Sequence, residues 1–226
     1  MEIQILDEVN LWPFSKIKNI PVVLATDSKY VKYLSVALQS IIESSNEQNN
    51  YDIIVLGGFI DVRISNKLIS QVNKLDNFSI RILDVAKYLE LIGVNLFYES
   101  NHISYASYFR LLIPIIMENY NKCLYLDTDI VVLHDLAELF SIELGINALG
   151  ACEDIAAMAS VIQKPHYQAY ITQKLGMDIN HKYFNAGVLS INVNELKKYK
   201  YDLFLELKRL KQPKSHDQDI LNCVFK

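Results

Sequence analysis

Two carboxylates spaced two residues apart, Asp127 and Asp129, close the apolar run Cys123-Leu124-Tyr125-Leu126. In an extended chain, residues two apart point to the same side. The spacing therefore predicts that both acids address one point while Thr128 faces away. Neighbouring carboxylates resist joint ionisation unless a cation sits between them. Hard divalent ions such as Mg2+ or Mn2+ suit these oxygens and keep positions open for substrate phosphates. The run before the acids reads as a strand buried on both faces, as in parallel sheets, and open α/β sheets bind ligands beyond the carboxyl ends of their strands. A metal–diphosphate site is the chemistry implied. A solvated turn, with one Asp capping the next element, is the alternative.

Four other groups carry polar chemistry in apolar surroundings. Arg110 interrupts the helical pattern of Tyr105, Phe109, Leu112 and Ile113; it either reaches out to water or is aimed at an anion. Asn185-Ala186-Gly187 sets an amide beside two tiny residues, which suits either a close backbone approach to a ligand or an ordinary bulge. Ser215-His216-Asp217-Gln218-Asp219 opens a final helix, where acids also serve as caps. Glu153-Asp154 ends a small-residue strand. His216 is read as a surface histidine, and His134 lies at an odd offset from Asp129 that points away from it.

The elements that position these groups alternate. Pro21 to Asp27 is a buried strand, followed by a helix carrying Tyr30, Leu34, Ala37, Leu38 and Ile41, with Asp27 or Ser28 as its cap. Asp52 to Leu56 is a second strand, stopped by Gly57-Gly58. Ile64, Leu68, Val72 and Leu75 mark a second helix, and Phe78, Ile80 and Ile82 a third strand. Pro114 bends or restarts the helix that contains Arg110. Asp135 starts a helix of capping-box type, and residues 164–176 form another that ends at Gly176. A charged helix is expected from Asn194 to Lys211. Trp12-Pro13-Phe14 is a candidate lid. Strand–helix–strand–helix–strand is the pattern of a doubly wound α/β sheet.

At 226 residues, the chain suits one domain with a real core. A formal charge of −4 argues against a general nucleic-acid binder and offers no broad basic face to a membrane. The start lacks a basic head and apolar stretch, and no apolar run approaches the ~20 residues of a membrane span. With three cysteines in apolar neighbourhoods, buried thiols in a reducing cytoplasm are expected.

Five segments in order carry a family resemblance: Ala25-Thr26-Asp27-Ser28-Lys29-Tyr30, Tyr108-Phe109-Arg110-Leu111, Leu124-Tyr125-Leu126-Asp127-Thr128-Asp129, Tyr183-Phe184-Asn185-Ala186-Gly187-Val188 and Asp217-Gln218-Asp219-Ile220-Leu221-Asn222. The chain resembles glycosyltransferase family 8, whose members include lipopolysaccharide galactosyl- and glucosyltransferases and glycogenin. The resemblance implies a GT-A fold, that is, a Rossmann-like mixed sheet flanked by helices, spanning residues 1–226 as a single domain. It also implies a retaining transfer of glucose or galactose from UDP-glucose or UDP-galactose to a glycan or lipopolysaccharide-type acceptor, with Mn2+ or Mg2+ as cofactor. Asp27 and Tyr30 would hold the uracil end beside Ala25 and Thr26. Arg110 would contact the donor phosphate or sugar. Asp127 and Asp129 would hold the metal, with Thr128 beside them. Asn185 and Ala186 would border the donor sugar, and Asp154, Asp217 and Gln218 would line its pocket, with Gln218 nearest the anomeric carbon. His102 would face the acceptor. A second copy of the chain and a peripheral membrane contact are further candidate partners.

The sequence departs from the family pattern at Lys29, where Asn is common. It also does not include the His-x-x-Gly-x-x-Lys-Pro-Trp segment that supplies the family's third metal ligand and a diphosphate lysine, so the domain is read as C-terminally short. A weak or inactive nucleotide-sugar-binding homologue is therefore the alternative function. Leu126-Asp127-Thr128-Asp129 also resembles the nucleophile strand of haloacid-dehalogenase-type phosphohydrolases, although there the motif lies near the chain start.

Overall fold

The computed structural model describes residues 11–86, 88, 105–211 and 213–225. Six strands form one mixed sheet: β1 (Asn19–Asp27), β2 (Asn50–Gly58), β3 (Phe78–Asp84), β4 (Lys122–Leu126), β5 (Leu149–Glu153) and β6 (Phe184–Asn192), in the order β3-β2-β1-β4-β6-β5. β1 runs parallel to β2 and β4, and β2 parallel to β3, while β6 is antiparallel to both β4 and β5. The chain thus winds outward from β1 to β3 and then returns to the other side of β1 with β4. Crevices that bind ligands open at such a reversal.

Alternation along the central strands sends side chains into two cores. Val22, Leu24, Ile53, Val55, Leu124 and Leu126 meet α1 (Val31–Ser44) and α2 (Val62–Val72) on one face. Val23, Ala25, Ile54, Leu56, Cys123 and Tyr125 meet the 3-10 helix Tyr105–Leu112 and the C-terminal helices on the other. Each fully buried aliphatic side chain contributes about 1.5–3 kcal/mol, so a strand hidden on both faces is held firmly. Firm strands make steady platforms for the residues at their ends.

Several local expectations are corrected. Gly57 and Gly58 do not stop β2; they pair within it, opposite Thr26 and Asp27. Their small size serves packing, because a Cβ at Gly58 would lie 2.8 Å from the Phe109 ring. The pattern over 104–117 is a 3-10 helix, Tyr105–Leu112, followed by the single α turn Ile113–Ile116 with Pro114 in its first turn. Residues 194–211 divide into Val193–Leu196, a 3-10 turn Lys197–Tyr199, and the helix Lys200–Leu210. The 164–176 segment is Pro165–Ala169 followed by the π turn Tyr170–Lys174, and it ends before Gly176 at a φ of 68°. Cys123 and Cys223 are buried, but Cys152 is exposed because β5 is the sheet's edge. Trp12-Pro13-Phe14 is no lid over the carboxyl ends: the Phe14 amide donates to Asp52 Oδ2 near the start of β2 (3.0 Å). Among the described residues, no helix is long and apolar enough to cross a membrane.

Candidate active site

A cavity of about 340 Å³ opens beyond the carboxyl ends of β1 and β4, at the reversal of strand order. Ala25 and Thr26 line it from β1, with Tyr30 from the turn before α1. Asp127, Thr128 and Asp129 enter from the segment after β4, Ala186 and Gly187 from β6, and Asp217 and Gln218 from the closing helix His216–Val224.

Arg110 is the centre of the site. The 3-10 helix carries it against the sheet and leaves it only 7% exposed. Its Nε lies 2.7 Å from Asp217 Oδ2 and donates to the Ser107 carbonyl, while Nη2 donates to Asp127 Oδ1 at 2.9 Å. Nη1 donates to the Ala186 carbonyl, and the guanidinium lies over the Tyr125 ring, 4.3 Å from its centroid. Burial opposes the charge, but Asp217, Tyr125 and Asp127 outweigh it and raise the Arg110 pKa further. Arg110 is therefore not reaching out to water; it is a permanent cation fixed at the cavity wall.

The Asp217 carboxyl is pushed up to about 6, chiefly by burial, with Arg110 pulling it down and Asp127 pushing it up. The preceding His216 takes a left-handed φ of 52° at the start of the helix, an uncommon conformation for a non-glycine residue. His216 is 1% exposed and its ring centroid is 5.4 Å from that of Tyr108, so the surface assignment is corrected. His134 is exposed.

Gln218 is braced at both ends of its amide. Oε1 accepts from the Ala186 N–H and Nε2 donates to Asp154 Oδ2, each at 2.9 Å. Asp154 in turn caps the helix Ile155–Gln163 by accepting from the Ala157 N–H. Asn222, one turn past Gln218, accepts from the Phe184 N–H and donates to the Phe184 and Gln218 carbonyls. Asp219 accepts from the Tyr170 and Tyr183 hydroxyls and the Ser215 N–H. These bonds lock the closing helix against β6 and hold Asp217 and Gln218 at the cavity wall.

The two acids of the opening motif do not sit on a strand. β4 ends at Leu126, and Thr128 and Asp129 form a turn, so period-two alternation does not govern them. Thr128 consequently does not face away but lines the cavity with its neighbours, 6% exposed. Asp127 is anchored through its N–H to the Gly187 carbonyl (2.8 Å), while Asp129 is exposed. Among the described residues, no group of three or more His, Cys, Asp and Glu side chains is gathered as for a metal.

Three expected residues are not among those that line the cavity. Asp27 Oδ1 accepts from the Lys29 and Tyr30 amides (2.8 and 3.0 Å) and closes the turn before α1, whose N-cap is Tyr30 and not Asp27 or Ser28. Asp154 reaches the cavity through Gln218. Asn185 is exposed and accepts from the Gly187 N–H. His102 lies outside the described residues. Sequence reasoning missed Tyr125 and Ser107 as lining residues. For Tyr125 the signal was available: it is the one hydroxyl in an apolar run, two residues before Asp127.

Residues 21–226 match the family model of glycosyl transferase family 8. The chain belongs to glycosyltransferase family 8. Within the family, it is 28% identical to the lipopolysaccharide 1,2-glucosyltransferase of Escherichia coli, over 88% of this chain and 56% of that protein. The solved apo structure of the bifunctional glycosyltransferase WbbM superposes with a TM-score of 0.81 at 30% identity, covering 95% of this chain and 38% of that one. The galactosyltransferase LgtC, solved with donor and acceptor sugar analogues, superposes at 0.72 with 28% identity, covering 92% and 71%. The fold is therefore the GT-A fold of these family 8 neighbours. The chain spans about half the length of the curated relatives it matches. The family match puts Asp127 in the middle of a transferase domain and replaces the phosphohydrolase resemblance.

Proposed function

We propose that this family 8 chain holds the donor site of a retaining glycosyltransferase, which takes glucose or galactose from UDP-glucose or UDP-galactose and delivers it to a glycan or lipopolysaccharide-type acceptor in a metal-dependent reaction. The observation that carries this reading is Arg110, a buried cation held between Asp127 and Asp217 on the wall of a cavity at the strand-order reversal. Breaking a glycosyl–diphosphate bond develops negative charge on the departing diphosphate. A fixed guanidinium needs no rearrangement to receive that charge.

The donor set fits Mn2+ or Mg2+. Hard carboxylate oxygens from Asp127 and Asp129 border the same cavity, and such ions fill their remaining positions with phosphate and water. When bound, the cation supplies positive charge toward the diphosphate. Ala25, Thr26 and Tyr30 form the wall suited to the uracil end. Gln218 Oε1, held by the Ala186 N–H, retains a second lone pair for the electron-poor anomeric carbon. No strong base is required, because the departing diphosphate itself takes the acceptor's proton on the same face.

A Mn2+-dependent rise in melting temperature on adding UDP tests the reading. No shift at millimolar UDP and Mn2+ would remove it. One observation favours a second reading, binding without transfer: both ends of the Gln218 amide are already engaged. Tight UDP binding with no UDP-sugar hydrolysis would select it.

A further inference from the structure

Asp127 presents its two carboxylate oxygens to different partners. Oδ1 accepts twice, from Arg110 Nη2 at 2.9 Å and from the Tyr125 hydroxyl at 3.0 Å. Oδ2 receives no hydrogen bond among the described residues. It lies over Gly187, where an added Cβ would be 2.8 Å from Oδ2 and 3.4 Å from the carboxyl carbon. Gly187 has no positive φ, so its backbone does not require glycine; the space taken by Asp127 Oδ2, and next to it by Asn185 Oδ1 at 3.0 Å from an added Cβ, does. Both Tyr125 and Gly187 border the cavity.

Resting on the metal-dependent reading above, we propose that Tyr125 and Gly187 are positioning residues that divide the Asp127 carboxylate, committing Oδ1 to the protein and leaving Oδ2 free, in one orientation, for the divalent cation. Two donors on one oxygen fix the rotation of the carboxylate about its Cβ–Cγ bond. Tyr125 suits this role because its ring is 1% exposed and pressed beneath Arg110, so its hydroxyl has one place to point. Arg110 shares the task, but it also serves Asp217 and the Ala186 carbonyl; the Tyr125 hydroxyl is the donor that can be removed with the charge balance intact. Partners that orient a ligating side chain typically set metal affinity by about 10–100-fold.

The test uses the 226-residue chain with saturating UDP, titrated with MnCl2, with free Mn2+ followed by electron paramagnetic resonance. Tyr125→Phe is expected to raise the Mn2+ dissociation constant about 10-fold. Gly187→Ala, which crowds Oδ2, is expected to do the same. In UDP-sugar hydrolysis, the KM for Mn2+ should rise by more than kcat falls. A Tyr125→Phe protein that melts at a lower temperature yet binds Mn2+ within about twofold of the parent, a span well inside the expected effect, would show a merely structural hydroxyl and overturn the proposal. Should that variant fail to fold, the Gly187→Ala titration decides on the same criterion. If the parent chain binds UDP but no Mn2+, the metal-dependent reading fails first and the proposal with it.

Discussion

Two aspartates meet arginines at opposite ends of the sheet, and the contrast between them separates scaffold from site. Near the start of β2, Asp52 is fully enclosed and both its oxygens are occupied. Oδ1 accepts from Ser79 Oγ at 2.8 Å and from Arg81 Nη2; Oδ2 accepts from the Tyr120 hydroxyl at 2.8 Å and the Phe14 N–H at 3.0 Å. Tyr120 and Arg81 also bind the Trp12 carbonyl, so the cluster ties the segment before β1 to the sheet. Beyond the far end of β4, Asp127 has one occupied oxygen and one without a donor among the described residues, and its side chain is 36% exposed. Both ends carry a cation and a tyrosine. What differs is the hydrogen-bonding capacity left over: a saturated carboxylate holds the fold, and an unsaturated one beside a cavity is available to a ligand.

The largest expected effect breaks the scaffold end. Asp52→Ala strands the Arg81 charge and the Tyr120 hydroxyl, and removing one member of a buried pair costs about 3–5 kcal/mol. Because Arg81 is 29% exposed and can turn to water, the lower value is expected from urea unfolding. UDP affinity of the folded fraction should not change; a loss of UDP binding with stability intact would erase the contrast. Next comes Arg110→Met at the site end. It should lower UDP-sugar turnover on the order of 100-fold, as for loss of one preorganised charge-stabilising group. Folding should persist, because Asp217, left without its cation, can take up a proton.

The gentlest effect is spread over pH. Burial pushes the Asp217 carboxyl up to about 6 in the folded protein, from an ordinary 3.8. The native state therefore keeps a proton that the unfolded chain has already released across this window. Stability contributed by this group falls as pH rises from about 4 to 6 and is constant above. The difference in unfolding free energy between parent and Asp217→Asn should trace that fall. A flat difference would mean that the folded protein holds the Asp217 proton no more tightly than the unfolded chain does, and would blur the comparison.

Much of the frame was legible from sequence. Buried strands at Pro21 to Asp27 and Asp52 to Leu56 announce themselves as near-continuous apolar runs, because both their faces are covered. The helix carrying Leu34, Ala37, Leu38 and Ile41 follows from its period. Less legible was whatever depended on a distant partner. Gly57-Gly58 reads locally as a stop, yet the Phe109 ring explains Gly58. His216 reads as polar surface, yet Tyr108 and the closing helix bury it. Asp127-Thr128-Asp129 reads as extended chain, yet β4 ends one residue earlier and the alternation rule lapses.

By itself, the sequence determined which groups are available: the acids at 127 and 129, a lone arginine in an apolar helix, small residues at 186 and 187, and strands that must be buried on both faces. These follow from composition and period, which act over a few residues. Only the tertiary structure decided which oxygen of Asp127 is engaged, that Asp217 joins Asp127 on one guanidinium 107 residues before it in the chain (217 minus 110), and that Asp52 is scaffold. Hydrogen-bond saturation is a property of neighbours brought together in space, and no local pattern records it.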